Sequence, residues 1–168
     1  MVSSNKKFDL LFFLIDSIFL LTIYIIMKSH NENLLKENKL SLTAVRLAVL
    51  DSLHAHPHSD ATYIYSIVKE KIATSSLQAI YNNLNTLVAY GIVREIKPKG
   101  RPSLYETRTG DNHHHLVCRH CQTINDADCL DVAPCLTPND NHGFVIDEAE
   151  VILWGTCPEC QTQNKISK

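Results

Sequence analysis

The chain has 168 residues, 45% hydrophobic and 20% charged, a composition that fits one compact domain or two small ones and excludes a low-complexity or disordered polymer. The net charge of -2 hides a division: residues 28–108 hold 11 basic against 7 acidic side chains, and residues 109–168 hold 3 against 9. A basic middle and an acidic end point to two modules, the first able to meet a polyanion.

The first predicted element is the apolar run Phe8 to Met27, FDLLFFLIDSIFLLTIYIIM. Twenty residues are enough to span a bilayer. Asp16 near its centre costs about 2.5–3.5 kcal/mol on the insertion scale, which the surrounding Leu, Ile and Phe offset. No small-residue cleavage site follows it. Three readings stay open for residues 1–27: a translated stretch upstream of a true start at Met27, a membrane anchor, or an extra soluble helix. Lys28, Lys36 and Lys39 against Lys6 and Lys7 lean the main body toward the cytoplasm.

From Ser41 the pattern turns helical, with an apolar stripe at Leu42, Val45, Val49 and Leu53 and a cap at Ser41 or Thr43. Asp60 caps a second helix with a stripe at Ile64, Val68 and Ile72. A third, SSLQAIYNNLNTLVAYG, places Leu77, Ile80, Tyr81, Leu84 and Val88 on one face, starts at Ser75 or Ser76 and ends at Gly91. Its other face shows Gln78, Asn82 and Asn85. Two strand-like runs, IVREI and SLYET, follow around the turn KPKGRP. Three helices and a hairpin make a winged helix-turn-helix, expected over residues 28–108. Amides on the third helix suit base edges, adenine above all, and Lys97, Lys99 and Arg101 in the turn suit phosphates.

Residues 109–168 read as a second module of short strands, in HLVCRHC, TINDAD and GFVIDEAEVILWG. Its cysteines carry the strongest signal. Cys118, Cys121, Cys157 and Cys160 form two Cys-x-x-Cys pairs separated by 35 residues. Each pair offers two sulfurs on a tight turn, and zinc takes four tetrahedral ligands. A fully protein-ligated Zn²⁺ has no open position, so this site is structural, and thiolates held by zinc fit a reducing compartment. Cys129 and Cys135 stay open between a reversible disulfide and two buried thiols.

The run His113-His114-His115 precedes the first pair. Side chains alternate along an extended strand, so His113 and His115 point together and His114 points away. A mixed nitrogen and oxygen set suits iron, manganese or zinc, with His58 and Glu106 as upstream partners. Catalysis is disfavoured: His30-Asn31-Glu32 looks like the H-x-E of zinc deaminases, but no Pro precedes Cys157 and a thiolate-filled zinc cannot activate water. The class that remains beside a DNA-binding protein is a membrane-anchored zinc-binding interaction module.

HSDATYIYSIV, IYNNLNTLVAYGIV, YETRTGDNHHHLVCRHC and HGFVIDEAEVILWGTCPEC together resemble the ferric uptake regulator family of metal-dependent transcription factors. The resemblance spans roughly Leu34 to Cys160 and leans toward the branch that controls catalase-peroxidase and peroxide defence. It implies an α+β fold, with an N-terminal winged helix and a small C-terminal α/β dimerisation domain carrying structural zinc. It implies a dimeric repressor that covers an AT-rich inverted repeat when Fe²⁺ or Mn²⁺ binds. On the positions that match the family's motifs, the regulatory metal falls to His58, Glu106, His113 and His115. Tyr81 matches the recognition-helix tyrosine, beside Ser75, Ser76, Gln78 and Asn82. A second regulatory site would draw on His114, Asp126, Glu148 and Glu150, although His114 stands where the family usually has aspartate, Asn112 where it commonly has histidine, and Ala149 in place of a later histidine.

Overall fold

The structure, a computed structural model, describes residues 5–111, 113–128, 138–146 and 149–166, without the side chains of 5–18, 20, 24 and 163–166. Asn112, Cys129, Cys135 and Glu148 therefore lie outside the described residues, as do the side chains of much of the Phe8–Met27 run. The chain divides into two compact units, Met1–Lys97 with Arg101–Thr107, and Pro98–Gly100 with Arg108–Lys168.

The first unit runs α1 (Asn5–Glu37), α2 (Ala44–Ala55), β1 (Ser59–Asp60), α3 (Ala61–Lys71), α4 (Leu77–Ala89), β2 (Arg94–Ile96) and β3 (Leu104–Glu106). Local chemistry sets the helix ends. Thr43, Asp60 and Ser76 each accept a backbone N–H from the first turn of α2, α3 and α4, with the amides of Arg46, Tyr63 and Ala79 donating. Each such cap contributes about 1 kcal/mol. Gly91 ends α4 at φ +65°; its N–H donates to Val88 O and that of Ile92 to Leu87 O, the paired bonds of a Schellman motif.

Inside, Val49, Leu50, Leu53, Ile64, Val68, Ile80, Leu84 and Leu87 are fully buried. Two expected core positions are corrected. Leu42 precedes α2 and is exposed, and Tyr81 is 40% exposed while Leu87 takes the inward place. The winged-helix core also reaches further back than expected. Leu35 and Asn31, near the end of α1, are fully buried. Asn31 donates to Asp51 (2.9 Å) and faces His54 Nε2 (3.0 Å), and His54 Nδ1 faces the Thr107 hydroxyl (3.1 Å). The neutral Nε2–H tautomer satisfies both His54 contacts. Phe19, Leu21, Ile25 and Ile26 of α1 are exposed, and among the described residues no helix is long and apolar enough to cross a membrane.

The hairpin gains a third strand, since β1 pairs with β3 and the sheet order is β1-β3-β2, all antiparallel. This sheet puts Ser59 opposite Tyr105 and Arg94 opposite Glu106.

The second unit holds β4 (His113–Cys118), β5 (Ile124–Asp128), β6 (Ile152–Gly155) and α5 (Pro158–Ile166). The sheet order is β5-β4-β6, with β4 antiparallel to β5 and parallel to β6. Of the expected strand GFVIDEAEVILWG, the described residues show only the last part as strand: the Phe144 N–H donates to Asn141 O and Val145 is 96% exposed. Helix α5 was not expected. Pro158 fits its first turn, where a missing N–H costs nothing, and Glu159 suits the positive end of the helix.

Candidate functional site

Strand β4 ends in the thiol cluster. Parallel pairing sets Cys118 opposite Gly155 of β6, so Cys157 arrives two residues later beside it. The tight turn after β4 returns Cys121, and the first turn of α5 supplies Cys160. All four sulfurs lie within 4.8 Å of one another, and Cys121 and Cys157 Sγ are 3.5 Å apart. Tetrahedral zinc with Zn–S near 2.3 Å requires about 3.8 Å between sulfurs, so the residues fit the ion. Backbone N–H groups of His120 and Cys157 donate to Cys118 Sγ, each at 3.4 Å, and that of Cys160 to Cys157 Sγ at 3.5 Å. The Cys157 amide, foremost, draws the Cys118 thiol down to about 5. The Cys121 sulfur, followed by that of Cys157, pushes Cys160 up to about 12. Four thiolates cannot ionise side by side unaided; a dication resolves that repulsion and leaves no position for substrate.

The other end of β4 is built differently. His113 and His115 share one face, ring centroids 5.0 Å apart, and both are buried. Directly across on β5 stand Asp128 and Asp126, opposite His113 and His115 respectively. His113 Nδ1 meets Asp111 Oδ1 at 2.5 Å, the kind of carboxylate support that orients a metal-ligating imidazole. Burial alone would raise the Asp111 carboxyl, but hydrogen bonds from His113 and Arg108 bring it below its ordinary value. His115 is fully buried. His114 is buried on the opposite face, across from Ala127. The register thus separates His114 from Asp126, two residues expected to share a second site, and Glu150 is exposed.

The first unit holds its own pair. His58 lies one residue before β1, and the β1–β3 register carries it to Glu106. His58 Nε2 and Glu106 Oε2 are 3.0 Å apart, with side chains only 9% and 1% exposed. His58 sits at φ +58°, a left-handed backbone that a non-glycine residue seldom adopts; the strain is repaid where a side chain must point one way. Arg94 approaches the other Glu106 oxygen at 4.0 Å. Histidine and carboxylate buried together are a competent half of a divalent-metal site.

Helix α4 carries the remaining candidates. Gln78, Tyr81, Asn82 and Asn85 recur at helical spacing and are exposed. Gln78 Nε2 donates to Asn82 Oδ1 at 2.9 Å, so the two amides present a linked donor and acceptor edge. Ser76 uses its hydroxyl as the α4 cap, and Ser75 is half-buried. Lys97, Lys99 and Arg101 are exposed, Lys97 pairing with Glu95 at 3.1 Å. Sequence reasoning missed the fixing of this helix: Arg46 donates to Asn83 Oδ1 (3.1 Å) and to Ser41 O (2.7 Å), tying the start of α2 to α4.

The profile of the Ferric uptake regulator family matches residues 37–152. The chain is 50% identical over 127 residues to the transcriptional regulator FurA of Mycobacterium tuberculosis, covering 75% of this chain and 86% of that one. It is 48% identical over 133 residues to ferric uptake regulation protein 2 of Mycolicibacterium fortuitum, covering 77% and 91%. Among solved structures, the Campylobacter jejuni peroxide stress regulator superposes with a TM-score of 0.59 at 30% identity, covering 76% of this chain and 97% of that one. With its winged helix, its amide-bearing α4 and its four-thiol cluster, this chain belongs to the ferric uptake regulator family of DNA-binding transcriptional regulators, which act as dimers and are not enzymes.

Proposed function

We propose that this chain is a metal-dependent repressor of iron or peroxide-stress genes, acting in the cytoplasm as a homodimer on an AT-rich inverted repeat. The observation that carries the reading is the division of metal-ligating pairs: His58 with Glu106 in the DNA-binding unit, His113 with His115 in the other. One divalent ion, Fe²⁺ or Mn²⁺, would draw ligands from both pairs and supply charge neutralisation there. An ion that binds one arrangement of the units better than others shifts the population toward it, and by linkage raises affinity for the DNA which that arrangement fits. Gln78, Tyr81 and Asn82 would read base edges, and Lys97, Lys99 and Arg101 would meet phosphates. Ser75 and Ser76 would place the start of α4 against the backbone. Zn²⁺ in the four-thiol cluster is the permanent ion of this scheme.

The dimer reading is supported by an apolar groove in the second unit, lined by Leu116, Val117, Leu153, Trp154 and Pro158. Leu116 and Leu153 are register neighbours and both are about half exposed, at 45% and 48%. A second copy would cover them. The test is an electrophoretic shift of DNA from upstream of the protein's own gene. Retention should require Mn²⁺ and be lost with a chelator; retention indifferent to metal contradicts the reading.

A further inference from the structure

Arg108 opens the second unit, and its guanidinium reaches three carboxylates. Nε donates to Asp111, Nη1 to Asp126 at 3.0 Å and Nη2 to Asp128 at 2.5 Å. These acids are not a random surface cluster. Asp126 stands across from His115, Asp128 across from His113, and Asp111 holds the His113 ring. The oxygen groups that face the histidine pair are thus shared with one side chain, and that side chain is itself a permanent cation.

We infer that Arg108 is a specificity-determining residue for the regulatory metal, a resident cation that competes with an incoming divalent ion for the carboxylate of Asp126. The inference rests on the reading of His113 and His115 as ligands. While the fork holds one Asp126 oxygen, that carboxylate is a weakened donor and imidazole nitrogen dominates, which suits Co²⁺ and Zn²⁺. When the fork opens, the whole carboxylate becomes available, which suits Mn²⁺. The positive charge also opposes any incoming dication at short range, and salt screens that opposition only partly in a half-exposed site. Arg108 therefore raises the metal concentration at which the site fills, and does so most for oxygen-seeking ions. Arg94 brings a cation to Glu106 in the first unit as well, at 4.0 Å.

The test measures Mn²⁺ affinity by electron paramagnetic resonance and Co²⁺ affinity by visible absorption, on zinc-loaded full chain. Arg108→Gln is expected to bind Mn²⁺ about tenfold more tightly, the scale of removing one like charge nearby, and to tighten Co²⁺ less. Arg108→Lys, which keeps the charge and loses the fork, is expected between wild type and Arg108→Gln. It carries the test alone if Arg108→Gln loses its zinc or its circular dichroism signal. His113→Ala runs beside them. If His113→Ala loses Mn²⁺ binding and the Arg108 variants bind no tighter than wild type, the role of Arg108 is overturned while the ligand reading stands. If His113→Ala binds Mn²⁺ like wild type, the ligand reading falls and this inference with it.

Discussion

The two ends of strand β4 make opposite uses of the same six residues. At Cys118 four sulfurs converge with backbone N–H groups and leave no group to exchange. At His113 and His115 two nitrogens converge with carboxylates that an arginine already holds. The first arrangement has every ligand of an ion supplied by one unit, so the ion becomes part of the fold. On the proposed reading, the second supplies only part of a coordination sphere and shares its acids with a competitor, so binding there would be reversible. Permanence and signalling would then be separated by ligand count and by prior partners.

The largest effect should come from breaking the permanent end. Structural zinc contributes about 10–16 kcal/mol of apparent binding energy in small metallo-domains. Cys157→Ser should therefore lose its zinc and the near-ultraviolet signal of Trp154, read by metal analysis and circular dichroism; a folded, zinc-loaded variant would collapse the distinction. Next, His113→Ala should keep zinc and fold but lose metal-stimulated DNA binding by about 100-fold, the upper range for removing even the outer-shell support of a ligand. A smaller loss of Mn²⁺ affinity, about tenfold, is expected for Asp111→Asn, because Asp111 orients the ring rather than meeting the ion. An unchanged affinity would show that the His113 ring is held by packing alone.

The smallest effect concerns the first unit and contains no metal. Burial, foremost, lowers His54 below its ordinary 6.5, against the opposing pull of Asp51 and with help from His30. A histidine whose folded value is depressed favours the neutral form. The unfolded chain then binds more protons, so this stabilisation is complete above pH 6.5 and declines as pH falls from there through the folded value. His54→Gln should flatten that part of the decline in melting temperature. An identical pH profile for both proteins would remove His54 from the account.

Much of this was legible in the chain. The caps Thr43, Asp60 and Ser76 and the stop at Gly91 are local chemistry, and local chemistry reads directly from neighbours in sequence. The four thiols were legible because Cys-x-x-Cys needs no knowledge of the fold. What escaped depends on pairing. Strand β1 has two residues, too few for any periodicity, and it is what brings His58 to Glu106. The placement of Asp126 across from His115 follows from the β4–β5 register, which no single segment encodes. Tyr81 reads onto the core face and Leu87 out of it because an apolar stripe read at one phase admits either. Asn31 and Leu35 were hidden by the longer apolar run before them, although they anchor the end of α1 in the core. Arg108 carries no motif of its own, and its three partners come together only through the β4–β5 pairing.

The most direct measurement follows zinc and DNA together. Mn²⁺ is titrated into zinc-loaded protein with DNA from upstream of its own gene, recording fluorescence anisotropy of the DNA and bound zinc by native mass spectrometry. DNA binding is expected to rise and saturate with Mn²⁺, to reverse with a mild chelator, and to leave one zinc on each chain throughout. DNA binding that ignores Mn²⁺, or DNA release that occurs only as the zinc departs, would contradict the separation of the two metal sites.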